Sequence, residues 1–303
     1  MKKQPVIFQS LFQLHQAMGQ PAPTHPLISI INYGEAIFNP EDFEQGIILD
    51  FYKISFKTSF KGKLRYGQGF YDFEAGGMSF IAPGQLLKMQ EEEANYEGMS
   101  LHIHPDFLRP YPVGTTIKQY GFFSYSAAEA LYLSDKEKAT ILSVYRFIQD
   151  ELSERIDKFS QDVIISQIEL LLNYSNRFYD RQFITRKAVN HDILSQLEQL
   201  LDNYFNDEQS LLKGLPSVNW LSEQLHLTPR YISDLLRKLT GQNTQQLIHD
   251  KVIEKAKAYL AKDHLTVQEI AFQLGFEHPQ SFNKLFKSKT SLSPSDYKKS
   301  LMN

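Results

Sequence analysis

The chain has 303 residues, a formal net charge of −3, and hydrophobic and charged fractions of 42% and 22%, which are ordinary values for a globular protein of two or three domains. It contains no cysteine, which excludes disulfide frameworks, thiolate metal sites and cysteine nucleophiles. It also has no apolar run of about 18 residues and no signal-peptide core at its start, so we expect a cytoplasmic protein without a membrane partner.

The first half of the chain has the texture of β-structure. Residues 1–26 are predicted to be a loose lead-in, because Pro21, Pro23 and Pro26 close the stretch. From Leu27 to about His104, short segments rich in β-branched and aromatic residues alternate with turns. This spacing predicts a small antiparallel barrel or sandwich. Six aromatic residues are candidates either to fill its core or to line a small-molecule pocket: Phe51, Tyr52, Phe56, Phe70, Tyr71 and Phe73.

Two histidines allow an alternative function for this region. His102 and His104 alternate on one predicted strand, so both side chains are expected on the same face, where such a pair can ligate a metal. No glutamate follows at a suitable spacing, and the element Ala82–Gly84 precedes the histidines. A metal-dependent enzyme and a sensor acting through protein partners therefore stand as alternatives. We expect no catalytic site, metal or cofactor.

Two amphipathic helices are predicted after the β-rich region. The first covers residues 134–157 and begins with a capping box formed by Ser134 and Glu137. The second covers residues 161–179. We expect the two helices to pack as a pair and to offer a surface for a homodimer. The basic stretch at residues 177–187 is predicted to be a solvated hinge.

A pattern of two short helices and a turn occurs twice between residues 217 and 297, after a predicted helix at residues 192–205. At an offset of 49, the positions Val218, Leu221, Ser222 and Leu225 recur as Val267, Ile270, Ala271 and Leu274. At an offset of 50, the positions Pro229, Ile232, Leu235, Leu236 and Arg237 recur as Pro279, Phe282, Leu285, Phe286 and Lys287. One inserted turn residue explains the change of offset. Two helix-turn-helix units, joined by a helix at residues 244–261, predict double-stranded DNA as a partner.

The charge distribution supports this interpretation. Residues 228–303 contain 12 Lys and Arg against seven Asp and Glu, a net charge of +5, so the rest of the chain carries −8. An acidic body with a basic end suits a protein that contacts phosphate through that end only.

The second helix of each unit is the predicted recognition helix, at about residues 228–239 and 279–289. In the first, Thr228 is the predicted N-cap and Gly241 the stop signal. An apolar stripe is expected to pack inward, formed by Ile232, Leu235, Leu236 and Leu239. The outward residues have the types that read bases and contact phosphate, although they also suit the solvated face of a packed helix. The candidate DNA-binding residues are Arg230, Ser233, Asp234, Arg237, Lys238, Gln280, Asn283, Lys284 and Lys287.

The stretch IAFQLGFEHPQSFNKLFKSKTSLSPSDYK at residues 270–298 closely resembles the signature of AraC/XylS-family transcription regulators. A subgroup of that family is also resembled by IHPDFL at residues 103–108, FFSY at 122–125, EALYLSDKEK from Glu129 and IELLLNYSNRFYDRQF from Ile168. The resemblance implies an α+β multidomain protein. Its segments would be a cupin-like effector domain at residues 1–126, a helical dimerisation segment and hinge at 127–186, and a tandem helix-turn-helix domain at 187–303. It further implies a small-molecule effector and RNA polymerase as partners.

The resemblance also carries roles onto individual residues. The family's base-reading positions fall on Arg230, Ser233 and Asp234 in the first unit and on Gln280, Asn283 and Lys284 in the second, with Lys287 as a backbone contact. Asp234 departs from the family pattern, which commonly has a basic residue there. Its carboxylate would need to accept from a cytosine amino group or to pair with Arg230 or Lys238. Ser291 replaces a glycine, so the left-handed turn expected there is open to change.

Overall fold

The chain forms two compact units, residues 1–182 and 183–303. The structure, a computed structural model, describes residues 4–37, 43, 45–60, 63–66, 69–72, 76–87, 96–126, 129–154, 157–185, 187–262 and 265–301. Within these residues the first unit is mixed α+β and the second is helical. None of the helices in these ranges is both long and apolar enough to span a membrane.

The first unit contains all the described strands. They are β1 (Val6–Phe8), β2 (Ile28–Asn32), β3 (Ile47–Leu49), β4 (Tyr52–Phe60), β5 (Lys63–Tyr66), β6 (Gly69–Asp72), β7 (Gly77–Ile81), β8 (Leu86–Leu87), β9 (Tyr96–Ile103) and β10 (Leu131–Tyr132). Its helices are α1 (Leu11–Ala17), α2 (Pro105–Leu108), α3 (Val113–Thr116), α4 (Asp135–Ser153) and α5 (Ser160–Thr185).

These strands form three sheets with the orders β10-β7-β4-β9-β2, β1-β3-β8 and β5-β6. The large sheet is antiparallel throughout, whereas β1 pairs with β3 in parallel. In the described part of the chain the three sheets do not join into a closed barrel, so the barrel alternative is not confirmed, whereas the predicted α+β class is.

One face of the large sheet packs against α4 and α5. The Tyr145 hydroxyl, on α4, donates to the backbone oxygen of Ile54 at 2.8 Å, and its ring centroid lies 5.9 Å from that of Phe56. The Tyr52 ring lies edge-on to Phe123 at 5.2 Å. These contacts identify Tyr52 and Phe56, two of the pocket candidates, as core residues on this face.

The other pocket candidates divide into two groups. Phe51 is fully buried and belongs to an apolar cluster with residues of α1, β1 and β3. The side chains of Phe70 and Tyr71, and the whole of Phe73, lie outside the described part of the chain.

The predicted loose lead-in is wrong. Ser10 and Gln13 form a capping box at the start of α1, and this helix buries Leu11 and Leu14 against the cluster around Phe51. Phe8 on β1 is buried in the same cluster. The segment is therefore part of the core, because its apolar residues fall on one side of a short strand and a short helix.

The two histidines that suggested a metal site have different environments. His102 lies on β9, is 1% exposed, and meets the Phe51 ring edge-on at 5.7 Å. His104 follows the strand as the N-cap of α2, and its Nδ1 accepts the Asp106 N–H at 3.2 Å. Among the described residues, no group of three or more His, Asp and Glu side chains is arranged to hold a metal.

The predicted hinge at residues 177–187 is helical through Thr185, where α5 ends. Arg181 is not solvated as predicted. Its guanidinium donates to both carboxylate oxygens of Glu137, at 3.1 and 2.8 Å, and to the Tyr132 oxygen at 2.7 Å. Glu137 also completes the predicted capping box with Ser134. Arg181 thus ties α5 to the start of α4 and to β10. The division into segments 1–126, 127–186 and 187–303 remains a prediction.

The second unit is built around one long helix. Its helices are α6 (Lys187–Asn206), α7 (Gln209–Lys213), α8 (Val218–Leu225), α9 (Pro229–Thr240), α10 (Thr244–Leu260), α11 (Val267–Gln273), α12 (Pro279–Thr290) and α13 (Pro294–Leu301). The predicted connector is α10, and it packs against α6, α9, α11, α12 and α13. Ile248, Val252, Ala256 and Leu260 form its buried stripe.

Two left-handed positions recur in the repeat, and glycine occupies a different one in each copy. After the first helix of each pair, His226 has φ 54° and its counterpart Gly275 has φ 90°. After the second helix, Gly241 has φ 75° and its counterpart Ser291 has φ 65°. Ser291 therefore keeps the turn that a glycine would make.

We expect Arg181→Ala to lower the free energy of unfolding of the first unit by about 2 kcal/mol. The loss leaves Glu137, which is 14% exposed, without its cation, and the partial exposure of Arg181 reduces the effect below that of a fully buried pair. Urea unfolding followed by circular dichroism measures the change. Arg177→Ala, on the exposed side of the same helix, is the control and should stay within about 0.5 kcal/mol. Equal effects of the two variants would contradict the proposed tie.

We expect Ser291→Gly to stabilise the second unit by about 0.5–1 kcal/mol, because a left-handed conformation is strained for a residue with a Cβ atom. The reciprocal change Gly241→Ser should destabilise it by a similar amount. No atom lies within 4 Å of a Cβ built on Gly241, so backbone strain alone sets that effect. Trp220 is the single tryptophan of the chain, and its fluorescence reports unfolding of this unit. Effects of the same sign in both variants would contradict this account.

Candidate nucleic-acid interface

The first helix pair, α8 and α9, is positioned by local capping and a shared core. The Ser217 side chain accepts the Trp220 N–H, and the Thr228 side chain accepts the Tyr231 N–H at the predicted N-cap, so both helices start at a polar cap. Leu221 of α8 and Ile232 and Leu236 of α9 are buried. The core fixes which side of α9 faces outward.

One residue of the predicted inward stripe is replaced. Leu239 is 38% exposed, whereas Tyr231 is 3% exposed. The Tyr231 ring lies edge-on to Phe183 at 5.3 Å. Tyr231 joins the buried stripe because it lies on the first turn of α9, where its ring packs against Phe183. Leu239, on the last turn, lies outside the stripe.

The outward side of α9 carries an ion-pair cluster. Asp234 accepts from Arg230 Nε at 2.9 Å and from Arg237 Nη1 at 3.1 Å. Asp234 is 17% exposed, while the two arginines are 49% and 57% exposed. The carboxylate therefore lies below two accessible guanidinium groups, and it pairs with Arg230, one of the two partners expected from the sequence.

Ser233 and Lys238 have different positions beside this cluster. Ser233 is half-buried, and its hydroxyl lies 3.0 Å from that of Thr244, which is fully buried at the start of α10. Ser233 was expected on the outward face, but this contact turns it toward the helix packing. Lys238 is exposed.

The second helix pair, α11 and α12, repeats the arrangement with an aromatic core. Thr266 and Glu269 form the predicted capping box of α11. Phe282 and Phe286 of α12 are fully buried, and Phe282 contacts Phe276 with ring centroids 5.5 Å apart. Leu285, expected to face the core, is half-buried.

Four of the predicted site residues lie together on the outward side of α12. They are Gln280, Asn283, Lys284 and Lys287, and all four are exposed. Their spacing of i, i+3, i+4 and i+7 places them on one helix face. The corresponding positions of α9 are Arg230, Ser233, Asp234 and Arg237. The candidates therefore recur at the same spacing on the two helices, but Ser233 of α9 is half-buried against Thr244, whereas all four α12 residues are exposed.

The two helix pairs are joined by α10, which also fixes α12 by an ion pair. Asp250 on α10 accepts from Lys289 Nζ at 2.7 Å and from the Gln242 side chain at 2.8 Å. Burial raises the pKa of Asp250, but these hydrogen bonds outweigh burial and hold the pKa below its usual value. Lys289 is thus directed at α10, in contrast to Lys284 and Lys287.

Sequence reasoning missed one feature of this surface. No side chain caps the N-terminus of α12, where His278 occupies the N-cap position. The first-turn N–H groups of a 12-residue helix carry partial positive charge and favour an anion. The uncapped N-terminus could have been predicted, because histidine is not among the residues whose side chains usually cap a helix.

Comparison with known proteins places the carboxy-terminal region in a family. Residues 221–300 match the profile of a helix-turn-helix domain. The uncharacterised HTH-type transcriptional regulator YobQ of Bacillus subtilis (strain 168) is 32% identical over 85 residues, covering 28% of this chain and 35% of that protein. An uncharacterised HTH-type transcriptional regulator of Staphylococcus aureus (strain N315) is 26% identical over 138 residues, covering 46% of this chain. The match spans 17% of the staphylococcal protein's length.

Two solved structures are similar to part of this chain. The C-terminal domain of the two-component response regulator yesN from Fusobacterium nucleatum is 29% identical, with a TM-score of 0.31, and the match covers 35% of this chain and 98% of that one. The DNA-binding domain of AdpA is 20% identical, with a TM-score of 0.30, covering 37% and 90% of the two chains. From the family match and the two helix pairs described above, the chain carries over residues 221–300 a helix-turn-helix domain of the AraC type.

Proposed function

We propose that the chain is a sequence-specific, DNA-binding transcription regulator in which α9 and α12 are the recognition helices of two helix-turn-helix units. The observation that carries the proposal is the outward face of α12. Its four exposed side chains lie opposite the buried Phe282 and Phe286, inside the segment that matches the helix-turn-helix family. This face has the side-chain types and spacing needed to enter a major groove.

The chemistry of the α12 face suits base readout. Asn283 and Gln280 present amides that pair with the edge of adenine, and Lys284 presents an ammonium that donates to guanine. Lys287 lies one turn further on and suits a phosphate contact. The uncapped N-terminus of α12 provides a second phosphate site.

The α9 face has a different electrostatic character. Two arginines are available to bases or phosphates, but each is already paired with Asp234. Binding to phosphate would exchange part of this pairing, so the gain on binding is smaller than for unpaired arginines. Asp234 also suits the amino group of cytosine. We therefore assign affinity mainly to α12 and specificity tuning to α9, where Arg230, Ser233, Asp234, Arg237 and Lys238 are the proposed contacts.

The length of α10 suits two successive major-groove segments. Its 17 residues correspond to about 26 Å at the rise of an α-helix, and successive grooves on one side of B-DNA repeat at about 34 Å. The buried side of α10 packs against helices of both pairs, which supports a fixed separation of the two reading faces.

The first unit would supply the regulatory part of the protein. By its resemblance to the same regulators, it is proposed to be a cupin-like effector domain, with α4 and α5 as the homodimer segment and RNA polymerase as a further partner. Val163 and Leu170 support the dimer, because they lie seven residues apart on α5 and are 41% and 40% exposed. An effector would act by favouring one arrangement of the domains over another. Access to the chromosome places the proposed regulator in the cytoplasm.

We expect Lys284→Ala to weaken binding to a DNA fragment selected from the source genome by about 1–3 kcal/mol, with a smaller loss on random DNA. Fluorescence anisotropy at fixed salt measures both. Lys289→Ala removes the same charge from the same helix, but Lys289 pairs with Asp250, so this control should affect the two DNAs equally. Equal losses for Lys284→Ala would reassign it to a phosphate. Failure to select any DNA would favour a sensor acting through protein partners.

We expect Arg230 and Asp234 to be coupled by about 0.3–1 kcal/mol in a double-mutant cycle of Arg230→Ala and Asp234→Ala, as for exposed helical ion pairs. Unfolding in urea, followed by Trp220 fluorescence, gives the four free energies. The pair Asp234 and Lys284 lies on two different helices and serves as the additive control. Additivity in the first cycle would rule out the pairing as a constraint on readout.

A further inference from the structure

The outward side of α9 carries an acidic residue at a surface that is proposed to meet DNA. Asp234 lies four residues after Arg230 and three before Arg237, so the three side chains share one helix face. The corresponding helix α12 contains no Asp or Glu between Pro279 and Thr290. A carboxylate at a DNA-binding surface repels the phosphates and lowers the affinity. The contacts of Asp234 indicate what it contributes instead.

Asp234 holds both arginines through its two carboxylate oxygens. Oδ2 accepts from Arg230 Nε at 2.9 Å, and Oδ1 accepts from Arg237 Nη1 at 3.1 Å. The carboxylate is more buried than either guanidinium group. It is therefore set back from the surface, and a base in the groove meets the guanidinium groups before it meets Asp234.

The atoms used in these contacts decide which side of Arg230 can meet DNA. Arg230 is held through Nε, and its terminal Nη1 and Nη2 have no hydrogen-bond partner in the part of the chain that the structure describes. These two nitrogens form a planar fork that donates two parallel hydrogen bonds. Guanine presents its acceptors N7 and O6 side by side in the major groove, where such a fork donates to both. The terminal fork of Arg230 thus suits a bidentate guanine contact.

Arg237 completes the charge balance of this face. Its Nη1 is bound to Asp234, and it lies on the last turn of α9, about 10 Å along the helix axis from Arg230. Two guanidinium groups and one carboxylate leave a net charge of +1. The face therefore keeps an attraction for DNA in spite of the acid.

Phosphate competes with Asp234 for the donors of Arg230. An unpaired arginine binds an anion through either of its forks, but the hydrogen bond at Nε leaves Arg230 only the terminal one. The ion pair also restricts the rotamers of Arg230, so less conformational entropy is lost when the side chain contacts a base. Both effects favour the reading of a base over contact with the DNA backbone.

We propose that Asp234 is a positioning residue that directs the terminal fork of Arg230 to a guanine, so that α9 selects a G·C base pair at one position. The inference rests on the proposed function, because it requires α9 to lie in a major groove. Asp234 acts through Arg230, in place of the direct cytosine contact that its chemistry also allows. It raises the selectivity of Arg230 and lowers the affinity for random DNA.

The test uses the full chain and a DNA fragment selected from the source genome, in which each base pair is replaced in turn. Fluorescence anisotropy at fixed salt gives the affinity for every replacement. We expect the unmodified chain to prefer guanine at one position by about tenfold or more, and Arg230→Ala to abolish that preference. Asp234→Ala should reduce the preference at the same position to about threefold or less, although Arg230 is still present. Asp234→Asn keeps the shape of the side chain and one acceptor oxygen, so its preference should lie between these values.

The affinity for random DNA should change in the opposite direction. Asp234→Ala should bind random DNA about two- to fivefold more tightly, with a steeper salt dependence, because its arginines then meet phosphate unpaired. Asp202→Ala is the matched control. Asp202 also lies between two cations, Lys251 at 3.1 Å and Lys255 at 2.9 Å, but it is on α6, which carries none of the proposed contacts. This variant should leave every base preference unchanged.

Relaxation of different base pairs by Asp234→Ala and Arg230→Ala would show that Asp234 contacts a base itself and would overturn the assignment. Equal weakening of selected and random DNA by Asp234→Ala would leave Asp234 a structural role only. An unchanged guanine preference in Asp234→Ala, or no guanine preference that depends on Arg230, would also contradict the proposal. Each of these results leaves selective DNA binding intact. If the unmodified chain selects no fragment, the proposed function fails together with this inference.

Discussion

The arrangement of the outward faces of α9 and α12 depends on the buried stripe of α10. This helix packs against α9 on one side of the repeat and against α11 and α12 on the other. Its apolar positions, such as Ile248 and Val252, are fully buried, so moving either helix pair would expose apolar surface to water. The outward faces of α9 and α12 belong to different helix pairs, and packing against α10 fixes them relative to each other. Under the proposed function, this rigidity lets the second unit select DNA by the spacing of its contacts as well as by their identity.

Local signals in the sequence predicted the helices well, since capping depends on residues three positions apart. Ser134 with Glu137 and Thr266 with Glu269 cap helices as expected. Ser10 and Gln13 form the same type of capping box. That segment was nevertheless predicted to be a loose lead-in, because of the prolines that follow it. The connector was likewise accessible from periodicity. The turn at Ser291 was expected to be open to change, but the structure keeps its left-handed conformation.

Contacts between distant segments could not be predicted in the same way. Arg181 binds a carboxylate 44 positions earlier in the chain, and its sequence neighbourhood resembles any solvated basic stretch. Ser233 meets Thr244 across a turn. At the candidate interface, the outward residues of α12 were predicted from the sequence. The pairing of Asp234 with both Arg230 and Arg237 was seen only in the structure.

The exchange of glycine between the two copies has a consequence for engineering. The turn after α11 needs Gly275, because a Cβ atom there would lie 2.5 Å from the Gly214 backbone, but the turn after α12 accepts a serine. The packing of the helices thus sets the backbone conformation in both copies. The outward residues lie at positions that do not take part in this packing. The exposed outward side chains of α9, Arg230 and Arg237, could therefore be placed at the corresponding positions of α12 without changing its aromatic core.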